Sequence, residues 1–148
     1  MGRARAGEAI GAAGLAALLW LGASGAGAAA ELRVRVGAVR SDEGRVLVAL
    51  CAERDFLARS CALAGSAGAR AGVTEVVIRD VPPGVYAAQA IHDENGNGDL
   101  DRNALGLPLE GFGFSRDAPL RAGPPRFEEA AVEVPAEGGV LAFALRYF

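Results

Sequence analysis

A chain of 148 residues carrying 15 basic and 18 acidic side chains, a net charge of −3 and 51% hydrophobic residues has room for one ordinary domain. Every basic residue is arginine, which excludes lysine chemistry such as Schiff-base formation. No basic patch interleaved with aromatics occurs, which argues against a nucleic-acid partner.

The first thirty residues read as an export signal. Arg3 and Arg5 form a short basic region, Ile10 to Leu21 an apolar core, and Ala26-Gly27-Ala28-Ala29-Ala30 the small-x-small pattern that signal peptidase reads, with cleavage after Ala30 or Ala28. A membrane anchor is the alternative, but the apolar run from Ala9 to Ala23 falls short of the roughly 20 residues a span needs and contains Gly11, Gly14 and Gly22. No cysteine follows the apolar core to take a lipid, and no adjacent arginines signal twin-arginine export. The expected organisation is a signal peptide over 1–30 and one domain over 31–148, periplasmic or secreted, with no stable membrane insertion after cleavage. Without Arg3, Arg5 and Glu8 the domain keeps 13 basic and 17 acidic residues.

Along the domain, Leu32, Val34 and Val36 alternate with Arg33 and Arg35, the period-two pattern of a strand with one buried face. Ser41-Asp42-Glu43-Gly44 is a turn cluster, and Val46 to Leu50 a short apolar run that the turn would pair with the first strand as a hairpin. Phe56 to Gly72, rich in Ala, Gly and Arg without a sustained period, reads as a long connection with one helical turn around Phe56 to Cys61. Val73 to Val81 is strand-like and ends at Pro82-Pro83-Gly84, where the prolines fix φ and the glycine frees the backbone. Val85 to His92 is a central strand delivering the segment that follows to one end of the domain. Gly111 to Ser115 reads as a short strand or a glycine-aromatic loop, Pro124-Pro125 as a turn. Ala130, Val132 and Val134 alternate with Ala131 and Glu133, and Val140 to Tyr147 forms a last strand. Six or seven short strands with little helix predict an all-β fold, a single antiparallel two-sheet sandwich of immunoglobulin-like kind. Many alanines imply a thin core that a disulfide or an ion would support.

Cys51 and Cys61, the only cysteines, read first as a disulfide in an exported protein. The sharper alternative makes Cys51 a nucleophile activated by His92.

The densest chemistry lies in Ile91-His92-Asp93-Glu94-Asn95-Gly96-Asn97-Gly98-Asp99-Leu100-Asp101. A calcium loop places oxygen side chains at positions 1, 3 and 5 and glycine at 6, and Asp93, Asn95, Asn97 and Gly98 keep that order. Asp99 then offers a backbone carbonyl and Asp101 a further ligand, but Ala104 stands where an EF-hand has its bidentate glutamate, so a true EF-hand is excluded. Glu110 is the nearest carboxylate that could complete the set. The metal reading is therefore calcium on Asp93, Asn95, Asn97, Asp99, Asp101 and Glu110. The structural reading is equally open, because Asn95-Gly96 and Asn97-Gly98 are strong turn dipeptides. Against it stand Asp93, Glu94, Asp99 and Asp101, four acids in nine residues with no base before Arg102.

His92 with Ser115 would give a small hydrolase, although neighbouring strand residues point to opposite faces and make a His92–Asp93 contact awkward. Phe112 and Phe114 could form a ligand platform, but as same-face strand residues they suit packing on the core or covering the acidic loop.

Val81-Pro82-Pro83-Gly84-Val85-Tyr86-Ala87, His92-Asp93-Glu94-Asn95-Gly96-Asn97-Gly98 with Leu100-Asp101, Gly106-Leu107-Pro108, Glu110 to Ser115 and Gly123-Pro124-Pro125-Arg126-Phe127 resemble, in that order, the bacterial family called domain of unknown function 2141. The resemblance implies an exported β-sandwich akin to transthyretin-like and carboxypeptidase regulatory-like modules and brings no catalytic residues. The two cysteines lie outside its motifs. The combined expectation is a non-enzymatic module whose acidic end loop, with or without calcium, faces a protein or glycan partner. The competing expectation is a periplasmic hydrolase using His92 with Ser115 or Cys51.

Overall fold

A computed structural model describes residues 30–148; the expected signal peptide and its cleavage site lie outside the described residues. Eight strands run in chain order: β1 (Ala30–Val39), β2 (Arg45–Cys51), β3 (Leu63–Gly68), β4 (Gly72–Val81), β5 (Gly84–Asp93), β6 (Phe112–Phe114), β7 (Ala131–Val134) and β8 (Gly139–Ala144). One helical turn, α1 (Phe127–Ala130), precedes β7. The strands form a three-stranded sheet ordered β4-β1-β8 and a five-stranded sheet ordered β3-β2-β5-β6, with β7 also on β5. This is the all-β sandwich the periodicity predicts. Among the described residues no helix is long and apolar enough to cross a membrane.

The alternation in β1 is realised directly. Leu32, Val34 and Val36 are buried against the other sheet while Arg33 and Arg35 face solvent. Opposite them, Val46, Val48 and Leu50 of β2 and Ala88 and Ala90 of β5 close the core, with Val76, Ile78 and Phe143. Fully burying each valine or leucine contributes roughly 1.5–3 kcal/mol, so the core rests on many modest side chains.

The expected β1–β2 hairpin does not form. β1 pairs antiparallel with β4 and parallel with β8, whereas β2 pairs with β3 and β5 in the other sheet. The turn at 40–44 therefore crosses between sheets. Each strand has one apolar face and could satisfy it within a hairpin or across a sandwich, and local sequence does not choose between these. The connection read over 56–72 also differs: it contains β3, and its helical turn is a 3-10 turn at Glu53–Asp55. β3 has a glycine, Gly65, where it packs closely on β4 of the other sheet. A Cβ at Gly65 would stand 2.7 Å from the Val77 carbonyl oxygen of β4. The last strand ends at Ala144, with Tyr147 beyond it.

Candidate functional site

β5 carries the acidic segment to one end of the sandwich, and its side chains divide between the two faces. His92 points into the interior and is fully buried. Its Nε2 donates to the Glu43 carbonyl at 2.8 Å. Tyr147 Oη accepts from Arg40 N at 3.1 Å and can pass its own hydrogen to His92 Nδ1 at 2.9 Å. That network assigns the Nε2–H tautomer and occupies both ring nitrogens.

Asp93 points the other way, also fully buried, beneath the loop it begins. Its Oδ2 accepts from Gly98 N at 3.0 Å and, over 3.4 Å, from Arg45 Nε. Its Oδ1 has no hydrogen-bond partner. Glu110, at the loop's far end, folds back and is 4% exposed. One of its carboxylate oxygens accepts from Glu94 N at 2.9 Å and the other from Asp101 N at 3.1 Å. A single carboxylate thus clasps both arms, a use of negative charge that ordinary neutral hydrogen bonds would match less strongly.

Above this root, the turn chemistry works as the Asn-Gly dipeptides predict. Asn95 Oδ1 accepts from Asn97 N at 3.1 Å and Asn97 Oδ1 from Asp99 N at 2.9 Å. Gly96 and Gly98 take φ of 75° and 82°. The amide nitrogens of Asn95 and Asn97 face the two oxygens of Asp101, the second at 2.9 Å. Among the six expected calcium ligands, Asn95, Asn97 and Asp101 meet in side-chain contact. Asp93 lies below them through Gly98, Asp99 turns outward to Arg59, and Glu110 is engaged by backbone. Among the described residues no three His, Cys, Asp or Glu side chains gather in a metal-holding cluster.

Three of the four crowded acids have bases after all, from distant parts of the chain. Arg40 holds Glu94 at 2.8 and 2.5 Å, Arg45 reaches Asp93, and Arg59 holds Asp99 at 2.5 and 3.2 Å. Only Asp101 is met by amides instead of a guanidinium. Hydrogen bonds from Arg40 keep the Glu94 carboxyl below the usual carboxylate range, against the opposing effect of burial, and Glu94 in turn raises Arg40. Burial pushes the Tyr147 phenol up. Gly44, at φ 65°, lets the 40–44 turn lie on the loop: a Cβ there would meet the Asp93 carbonyl oxygen at 2.1 Å. Sequence reading missed these partners, which lie 54, 48 and 40 residues away from the acids they pair. The one available signal is the exclusive use of arginine, whose planar fork suits carboxylates.

Beyond Asp101 the chain makes a small hairpin. Asn103 N donates to Leu107 O, and Asn103 Oδ1 accepts from Leu105 N and Leu107 N. It holds Leu105, Leu107 and Leu109 out in solvent, 84%, 48% and 54% exposed.

The remaining candidates are structural in their contacts. Cys51 and Cys61 form a disulfide with Cα atoms 5.2 Å apart, which corrects the reading of Cys51 as a free nucleophile. Ser115 Oγ is buried, accepts from Ala88 N at 2.9 Å and donates to Ala130 O at 2.5 Å, a staple between β5 and α1, while His92 bonds to Tyr147 and Glu43 instead. Phe112 and Phe114 pack in an aromatic cluster on the outer face of the five-stranded sheet, edge-on to each other and, through Phe114, to Phe56.

Residues 34–140 match a bacterial family described as "Uncharacterized protein conserved in bacteria (DUF2141)". No curated protein and no solved structure matches the chain.

Proposed function

The chain belongs to the bacterial DUF2141 family, and from this premise we propose that it is an exported, non-enzymatic β-sandwich module that presents its 93–110 end loop to a protein or glycan partner. The observation that carries this reading is the loop's build. Glu110 locks its root by two charge-assisted bonds, and the hairpin above displays three exposed leucines. A disulfide and a signal-like leader support export, since disulfides persist in oxidising compartments. A non-catalytic role is supported by the occupation of His92, Ser115 and Cys51, each consumed by structural bonds. Reproducible turnover of ester, amide or glycoside substrates by the purified protein, abolished in Ser115→Ala with folding retained, would overturn it.

Calcium is a second reading, favoured by one specific observation. Asp93 Oδ1 is a buried carboxylate oxygen without a donor, in the loop where Asn95, Asn97 and Asp101 converge. Such orphaned oxygens are costly, and a hard cation would satisfy this one. With Asp99 and Glu110 engaged elsewhere, affinity belongs in the weak extracellular range of about 0.1–1 mM. Melting curves with calcium, magnesium and EDTA test it. Calcium should raise Tm and EDTA reverse the rise, and an unchanged Tm up to millimolar calcium discards the ion.

A further inference from the structure

The two faces of the five-stranded sheet are covered unequally. At the outer face, Ala87 lies beneath the cluster of Phe114, Ala118 and Ala130 with Phe56 and Phe127. Beyond that cluster two cross-strand rows lie half open. Ser66, Leu47, Ile91 and Phe112 make one, and Ala64, Ala49, Gln89 and Phe114 the other. A solvent-facing sheet surface normally carries polar side chains, and here Leu47, Ala49 and Ile91 stand in their place. These rows floor a groove of about 1240 Å³. Its walls are the disulfide loop around Leu57–Cys61, the arm from Gly98 to Pro108, and the stretch 120–124. Phe148 closes one side, stacked on Phe112 at 5.7 Å. Leu57, Leu107 and Phe148, all substantially exposed, stand along the rim. Gln89 is spent on the wall: its amide donates to the Ala58 carbonyl at 3.2 Å.

The charges on this groove run against those of the whole chain. Its lining includes Arg59, Arg102 and Arg121 but only one acidic side chain, Asp99, in a protein of net charge −3. Arg59 is paired with Asp99, and Arg121 with Glu129 outside the groove. Arg102 donates to the neutral Gly106 carbonyl at 3.0 Å and has no carboxylate partner among the described residues. An apolar floor with one uncompensated guanidinium is complementary to an apolar chain ending in an anion.

We propose that this groove binds a fatty acid, its acyl chain along Leu47, Ala49 and Ile91 and its carboxylate on Arg102. A peptide strand adds to a sheet edge, whereas this floor is a sheet face with β2 and β5 already paired on both sides. A second copy seated face to face would supply only its own unpaired Arg102 guanidinium to this face and no carboxylate to meet the first. The inference is independent of the ion reading of the acidic loop.

The test is isothermal titration of the whole protein with dodecanoate below its micelle concentration, in EDTA and again in calcium. Dodecanol and dodecyltrimethylammonium serve as neutral and cationic controls of the same chain length. One saturable site is expected, with both controls weaker by roughly tenfold, the scale of one charge-assisted hydrogen bond. Arg102→Gln should erase the preference for the carboxylate while keeping dodecanol binding. Ala64→Trp, at an exposed floor position, should abolish binding of all three without moving Tm. Should that variant misfold, Leu47→Asn on the same floor provides the second blocking test. Equal affinity for the three amphiphiles, no saturable binding, or full binding by the floor variants overturns the proposal. So does a dimer in sedimentation that Ala64→Trp dissociates, which would make the groove a self-interface.

Discussion

The root and the tip of the acidic loop use the same kinds of side chain to opposite ends. At the root, Asp93 and Glu110 are buried and their carboxylates accept from backbone N–H groups of the loop itself. At the tip, Asn95, Asn97 and Asp99 are exposed, and the ion pair of Asp99 with Arg59 sits in solvent. Buried charge-assisted bonds are expensive to lose because the amides they satisfy have no water to turn to; exposed pairs exchange readily with solvent. An acidic motif therefore combines a buried structural foundation with a solvent-accessible end.

Removing the clasp should have the largest effect. Glu110→Ala leaves the amides of Glu94 and Asp101 unsatisfied and should cost about 3 kcal/mol in denaturant unfolding, with Glu110→Gln recovering part of it. If Glu110→Ala instead leaves stability intact, root and tip are energetically alike and the distinction fails.

Next comes the disulfide, which closes the loop that carries the tip's anchor, Arg59. Replacing Cys51 and Cys61 together by serine should cost about 2–3 kcal/mol. Thiol counting on the native protein should find none reactive.

Acid pH should discriminate the two regions further. Arg40 holds the Glu94 carboxyl down in the folded state, so this pair stabilises above the unfolded value of about 4.3 and the contribution is lost as pH falls through the lower folded value. Tm measured from neutral pH downward should therefore fall below about pH 4.3, and Glu94→Gln should flatten that part of the profile.

The smallest effect belongs to the tip. Arg59 and Asp99 have side chains 82% and 49% exposed, so Arg59→Ala should leave Tm and the denaturant midpoint essentially unchanged. A clear loss would mean that the tip is part of the foundation.

Legibility followed the range of the forces involved. Strand periodicity in β1, β2, β4 and β5, the Asx turns at Asn95 and Asn97, and the disulfide were readable because each depends on near neighbours. β3 was hidden, since the close approach at Gly65 requires the small residues that make a strand look like a loop. The crowding of acids at 93–101 looked unrelieved because Arg40, Arg45 and Arg59 lie on other segments.

By itself, then, the amino-acid order determined an all-β chain, a turn-rich acidic loop and a pair of cysteines fit to close a ring. Tertiary structure alone decided that β1 joins β4 and β8 rather than β2, that three remote arginines pair with three of the loop's acids, and that Leu47, Ala49 and Ile91 line an open groove. The physical reason is the same in each case. An apolar face or a charge specifies the kind of partner it needs, and only the packed chain determines which residue supplies it.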